Sequence, residues 1–250
     1  MSNKYTNSPL VDVVRLTNNK TNGRNHVIDT ITIHCIVGQW TAQKAVDYFA
    51  TTKKQASCNY AVGCDGKVGL CVEEKDRSWC SSSKSNDNRA ITIEVASDTK
   101  HPYAVNDKAY NKLIELVADI CKRNGIKKLV WSTNKVNRVN HLNECNMTCH
   151  RDFKSSKSCP GEYLYSRHGE IANRVNAILN GSDKKTFRVN IKDDVELNIR
   201  AGAGMQYKIN GVIKDHGIYT IVEVKNGHWG KLKSGAGWIS IHEKYVDRLD

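Results

Sequence analysis

Hydrophobic and polar positions follow two different rhythms along the chain. In DTITIHCIVG (Asp29–Gly38), Ile31, Ile33 and Cys35 alternate with Thr30, Thr32 and His34. That is the period of a strand, and it places His34 on the face opposite the aliphatic set. From Thr41 to Lys54 the period changes: Ala42, Ala45, Val46, Phe49 and Ala50 recur at helical spacing behind Thr41 as N-cap. Asn59–Cys64 and Lys67–Val72 flank Asp65-Gly66, a hairpin signal, with Tyr60 on its first strand. Ser81–Asn88 reads as a polar loop. Ala90–Ala96 (AITIEVA) is a strand carrying one carboxylate, Glu94, among aliphatic residues. Asn106 caps a helix over Asp107–Asn124 that ends at Gly125. Lys128–Thr133 reads as a short strand bearing Trp131, and a helix runs from about Glu162 to Leu179. Interleaved strands and helices predict an α/β domain, a mixed central sheet flanked by helices, over residues 1–181.

After a polar linker at 182–186 only the strand period remains. Phe187–Ile191, Leu197–Arg200, Ile209–Lys214, Tyr219–Lys225, His228–Lys233 and Gly237–Ile241 follow one another, with Asn226-Gly227 marking a tight hairpin. Short strands punctuated by glycine predict a small all-β barrel over 187–250. No apolar run approaches the ~20 residues that span a bilayer, so membrane insertion is not expected. The N-terminus lacks the apolar core of a signal peptide, which implies synthesis in the cytoplasm and export by another route.

Charge and cysteine usage narrow the chemistry. The net charge is +12, with +9 on residues 1–182 and +3 on the remainder. This favours an anionic partner without choosing among nucleic acid, membrane surface and wall polymer. All nine cysteines precede residue 160. An odd count without a signal argues against a disulfide framework and for reduced thiols. Cys35 and Cys121 fall inside apolar patterns as small core residues.

The chemistry-bearing stretch is CHRDFKSSKSCPG, Cys149–Gly161. His150 and Cys159 supply an imidazole and a thiolate nine residues apart, two of the three protein ligands that an open zinc site takes; His34 is the candidate third. Such a site leaves one position for a water whose pKa falls to about 7. Glu94 is the candidate general base, because a lone carboxylate in an apolar strand needs a partner. Lys157 and Tyr60 are candidate donors to the oxyanion formed when an amide carbonyl is attacked. Blander readings stand beside these: His34 as a core histidine, Glu94 in a salt bridge, Lys157 solvated. Cys145, Cys149, His150 and Cys159 would alternatively make a structural zinc site.

Four segments, in order, resemble the zinc-dependent N-acetylmuramoyl-L-alanine amidases of the type 2 family, which are related to peptidoglycan recognition proteins. ITIHC resembles the strand of the first ligand. SCNYAVGCDGKV resembles the tyrosine-bearing hairpin, DNRAITIEVA the glutamate segment, and CHRDFKSSKSCPG the closing motif. Many relatives have aspartate where this chain has Cys159. The resemblance implies hydrolysis of the amide between N-acetylmuramic acid and L-alanine of the stem peptide, with one zinc on His34, His150 and Cys159. It also implies Glu94, Lys157 and Tyr60 in catalysis and Trp79 lining the substrate groove. VELNIRAGAGMQYKINGVI and KNGHWGKLKSGAGWIS resemble bacterial SH3-like wall-binding domains, which makes Tyr207, Trp229 and Trp238 candidate wall contacts. The combination looks like a phage-type endolysin released through a holin pore, acting on peptidoglycan and anionic wall polymers of Gram-positive cells rather than on nucleic acid. The alternatives are a cysteine-type peptidoglycan endopeptidase using Cys149 or Cys159, and a non-catalytic wall-binding protein.

Overall fold

The computed structural model describes residues 5–180, 186–225 and 228–249. The chain divides into two compact units, Met1–Asn180 and Gly181–Asp250. The expected linker falls almost wholly, and the Asn226-Gly227 hairpin wholly, outside the described residues. Among the described residues no helix is long and apolar enough to cross a membrane.

In the first unit the elements are β1 (Val13–Val14), β2 (Lys20–Thr21), β3 (Thr30–Cys35), α1 (Ala42–Thr51), β4 (Tyr60–Val62), β5 (Val68–Leu70), β6 (Arg77–Ser78) and α2 (Lys84–Arg89). They continue with β7 (Ala90–Val95), α3 (Asp107–Asn124), α4 (Lys135–Val139), β8 (Met147–Thr148), α5 (His150–Phe153) and α6 (Gly161–Leu179). Six strands form one mixed sheet in the order β1-β5-β4-β7-β3-β8. β3 runs parallel to β7 and β8, whereas β4 and β5 make the antiparallel hairpin around Asp65-Gly66.

Side-chain alternation sorts the sheet into two faces. Ile31, Ile33, Tyr60, Val62, Ile91 and Ile93 form one face, packed with Leu113, Leu116, Val117 and Ile120 of α3 and Leu164, Ile171 and Val175 of α6. On the other face Ala45, Val46 and Phe49 of α1 pack with Cys58, Ala61 and Cys71. Helix α3 has its expected bounds: the Asn106 side chain accepts from the Ala109 N–H, and Gly125 closes the helix in the left-handed region. All nine cysteines are free.

Two local expectations change. Ser81–Asn88 holds α2, which starts where the Ser83 hydroxyl accepts from the Asn86 N–H. Lys128–Thr133 is not a ladder strand. Val130 N–H donates to Asn146 Oδ1 at 2.8 Å, and the sheet edge is β8, which pairs Met147 with Ile31.

The second unit is all-β. Its strands are β9 (Phe187–Ile191), β10 (Leu197–Arg200), β11 (Ile209–Ile213), β12 (Ile218–Lys225), β13 (Trp229–Leu232), β14 (Trp238–Ser240) and β15 (Val246–Arg248). They pair antiparallel in the order β11-β10-β14-β13-β12-β9-β15. Phe187, Val189, Ile191, Ile221, Ile239 and Val246 belong to its core.

Candidate active site

The register of β3 against β7 sets the site. His34 lies directly beside Glu94, and Ala61 of β4 lies on the other side of Glu94. Neighbouring residues on parallel strands share a face, so the imidazole and the carboxylate emerge together from the face opposite the aliphatic core. His34 is fully buried, and its Nδ1 is 3.9 Å from Glu94 Oε1. The buried atoms His34 Nε2 and Glu94 Oε2 have no hydrogen-bond partner among the described residues.

The stretch from Cys149 to Gly161 closes over this pair. Cys149 caps α5, and His150 is the first helical residue. The Arg151 N–H donates to the Cys159 carbonyl at 3.1 Å, which folds the loop back on itself. Gly161 has φ +77° and lies against Tyr103, where an added Cβ would sit 2.8 Å from the Tyr103 Cβ. Only glycine meets both the backbone angle and the close approach. Cys159 Sγ thereby comes within 3.3 Å of His34 Nδ1. His150 Nε2 is 2.9 Å from the Ser82 hydroxyl, which leaves Nδ1 as the free nitrogen of that ring.

One donor atom each from His34, His150 and Cys159 falls within 4.8 Å of the others. Ligands of a tetrahedral zinc lie ~3.5 Å apart, so the three residues fit such an ion with small adjustments. Electrostatics suit the same use. Burial pulls the His34 imidazole well below its ordinary pKa, and the neighbouring His150 adds to this. Burial brings His150 to about 4, helped by the charges of Lys157 and Lys154. Both rings are therefore neutral near pH 7, with lone pairs to offer. Burial also raises Glu94 to about 7.

Under α5 lies a buried ion pair. Arg138 donates to both Asp152 oxygens, at 3.0 and 2.6 Å, and to the carbonyls of Ser132 and Thr133. Asp152 also accepts the Cys149 N–H at 3.0 Å. The carboxylate that anchors this turn is thus two residues from His150.

The other expected residues divide. Lys157 and Trp79 line a cleft of about 560 Å³ together with His150, Cys80, Arg77 and Lys84. A second recess, with Ile36, Val37, Trp40 and Tyr48 on its wall, borders Glu94. Tyr60 requires a correction. It pairs with Ile93 rather than Glu94, so its ring enters the core face, fully buried. Its hydroxyl donates to Glu74 Oε1 at 2.6 Å and accepts the Ser8 N–H at 2.8 Å. It has no path to an oxyanion beside His34. Ser82 and Cys80, absent from the sequence reading, both reach the site; a polar run of serines carries no signal that would single them out.

In the second unit Trp238 and Trp229 are buried against Ala203. The Trp238 ring lies under the ammonium groups of Lys225 and Lys231. Trp229 also borders a cavity of about 460 Å³ with Arg200, Met205, His228, His242 and Tyr245. Tyr207 is exposed, its ring lying over Gly202.

A sheet face that presents His34 and Glu94, covered by His150 of α5 and Cys159 of the loop that follows it, has the donor set of a hydrolase-type centre. The N-acetylmuramoyl-L-alanine amidase family model matches residues 24–162, over half of the chain and all of these residues. The chain belongs to that family and is an N-acetylmuramoyl-L-alanine amidase. Among solved structures, a selenomethionine derivative of AmpD superposes with TM-score 0.50 at 16% identity, covering 66% of this chain and 96% of that one. PlyL gives 0.49 at 17%, covering 65% and 94%. The Drosophila peptidoglycan recognition protein SD gives 0.47 at 16%, covering 63% and 94%. The first of these likenesses supports the fold alone. No curated protein sequence matches the chain.

Proposed function

We propose that the chain is a zinc-dependent endolysin-type enzyme that cleaves the amide between N-acetylmuramic acid and the L-alanine of the stem peptide. The observation that carries this reading is the convergence of His34, His150 and Cys159 within 4.8 Å, with the Glu94 carboxylate beside them. These three side chains would hold one zinc. When bound, zinc lowers the pKa of water and polarises a carbonyl.

The protein's own groups supply the rest. Glu94 Oε2, buried and unpartnered, takes the proton of the attacking water and returns it to the leaving amine. Lys157, exposed on the cleft beside His150, donates to the oxyanion. Ser82 holds the His150 ring by Nε2. The cleft walls that include Trp79, Arg77 and Lys84 receive one side of the substrate, and the recess along Trp40 and Val37 receives the other. The basic first unit, part of a net charge of +12, favours an anionic wall as the place of action. The second unit would serve as an SH3-like wall anchor, raising the local concentration of enzyme on an insoluble substrate. Its candidate contacts are Tyr207 and the cavity beside Trp229.

The test is metal removal and replacement on the purified chain, with wall lysis and zinc content measured together. Chelation abolishes lysis and one equivalent of zinc restores it, while His34→Ala binds no zinc and stays inactive. Full lysis by metal-free protein or by His34→Ala overturns the proposal.

A further inference from the structure

A second group of donors faces the same room. His34, Cys80 and Glu94 also place one donor atom each within 4.8 Å of one another. Cys80 Sγ is 4.0 Å from Glu94 Oε1, and Glu94 Oε1 is 3.9 Å from His34 Nδ1. The Cys80–Glu94 separation is within about half an ångström of the ~3.5 Å expected between ligands of one tetrahedral zinc, and the Glu94–His34 separation places that pair directly beside the first site. Cys80 is held in place by its backbone: its N–H donates to Asp87 Oδ2 at 3.0 Å, and Asp87 is in turn fixed by the Ser81 hydroxyl at 2.6 Å. Its position on the wall of the cleft with His150 and Lys157 leaves it reachable by a small ion. Glu94 Oε2 is buried here and has no hydrogen-bond partner among the described residues.

We propose that Cys80 and Glu94 form a second, weaker position for a soft divalent ion, adjoining the first across His34, and that filling it shuts the enzyme off. This rests on the assignment of His34, His150 and Cys159 to the first ion. With His34 Nδ1 committed there, the second ion has one thiolate and one carboxylate from the protein, so it fills only when metal is in excess. The Cys80 thiol gives its proton to solvent as the ion binds. An ion held there would take up the Glu94 carboxylate that otherwise accepts the proton of water.

The experiment titrates the full chain and its Cys80→Ser form with cadmium ion alone. Ultraviolet thiolate-to-cadmium absorbance and equilibrium dialysis give the stoichiometry, and wall lysis is followed against added zinc. The wild type takes up two equivalents, the second at higher concentration and with a further rise in absorbance. Cys80→Ser keeps the first equivalent and loses the second. Zinc beyond one equivalent lowers wild-type lysis at least tenfold, whereas Cys80→Ser retains the activity it has at one equivalent. Saturation of the wild type at one equivalent, or uptake of two by Cys80→Ser, overturns the inference and leaves the first site standing. A chain that binds no cadmium overturns both.

Discussion

Replacing Arg138 with methionine isolates the contribution of the ion pair under α5. The guanidinium is 2% exposed, and its Asp152 partner 1%. The substitution keeps an apolar stem over the Trp131 ring, where the guanidinium carbon now sits 4.4 Å from the centroid. It leaves a buried carboxylate with the Cys149 N–H as its remaining donor among the contacts described above. Removing one member of a buried pair costs about 3–5 kcal/mol. The orphaned Ser132 and Thr133 carbonyls add roughly 1 kcal/mol each where water does not reach them. Against a total stability of about 5–15 kcal/mol, the loss is large enough to read in a urea titration followed by tryptophan fluorescence. In a cycle with Asp152→Asn the coupling should exceed ~2 kcal/mol, because each single variant strands a buried charge and the double variant strands neither. His150 rides on the same turn, so zinc affinity should fall by about tenfold or more in Arg138→Met. A cost below ~1 kcal/mol with unchanged zinc affinity would refute the view that this pair braces the ligand loop.

Tyr60→Phe should lose roughly 1–3 kcal/mol of stability by stripping Glu74 and the Ser8 N–H of a buried partner. Its turnover should match the wild type, and a folded variant with collapsed turnover would return Tyr60 to the chemistry. Glu94→Gln should bind one zinc yet hydrolyse ~10²-fold or more slowly; wild-type turnover there would move the proton transfer elsewhere. His168 is fully buried, its Nδ1 2.7 Å from the Leu164 carbonyl, and burial lowers its pKa to about 4. The unfolded chain therefore binds this proton first. The stability that neutral His168 contributes is whole above pH ~6.5 and is lost as pH falls toward 4, about 3 kcal/mol in all. Comparing urea midpoints at pH 7.5 and 4.5, His168→Phe should lose less stability on acidification than the wild type; equal losses contradict the assignment.

Much of the scaffold was legible because single segments carried complete signals. Asn106 and Gly125 bracket α3, and Asp65-Gly66 turns the β4–β5 hairpin. His34 and Glu94 stood out as polar residues in apolar strands, and their side-by-side placement follows from the β3–β7 register. Register between strands is a tertiary property, and this is where the Tyr60 expectation failed. Nothing in SCNYAV states that Ala61, not Tyr60, is the neighbour of Glu94. Ser82 reaches His150 across 68 residues, a contact without local trace in a serine-rich run.

The central claim is most directly tested by the bond that breaks. Purified walls digested with the zinc-loaded chain and analysed by mass spectrometry should release stem peptides bearing a free L-alanine amino group, with no new reducing sugar. New amino termini within the stem peptide or bridge, or new reducing ends with L-alanine still linked to N-acetylmuramic acid, would contradict the account.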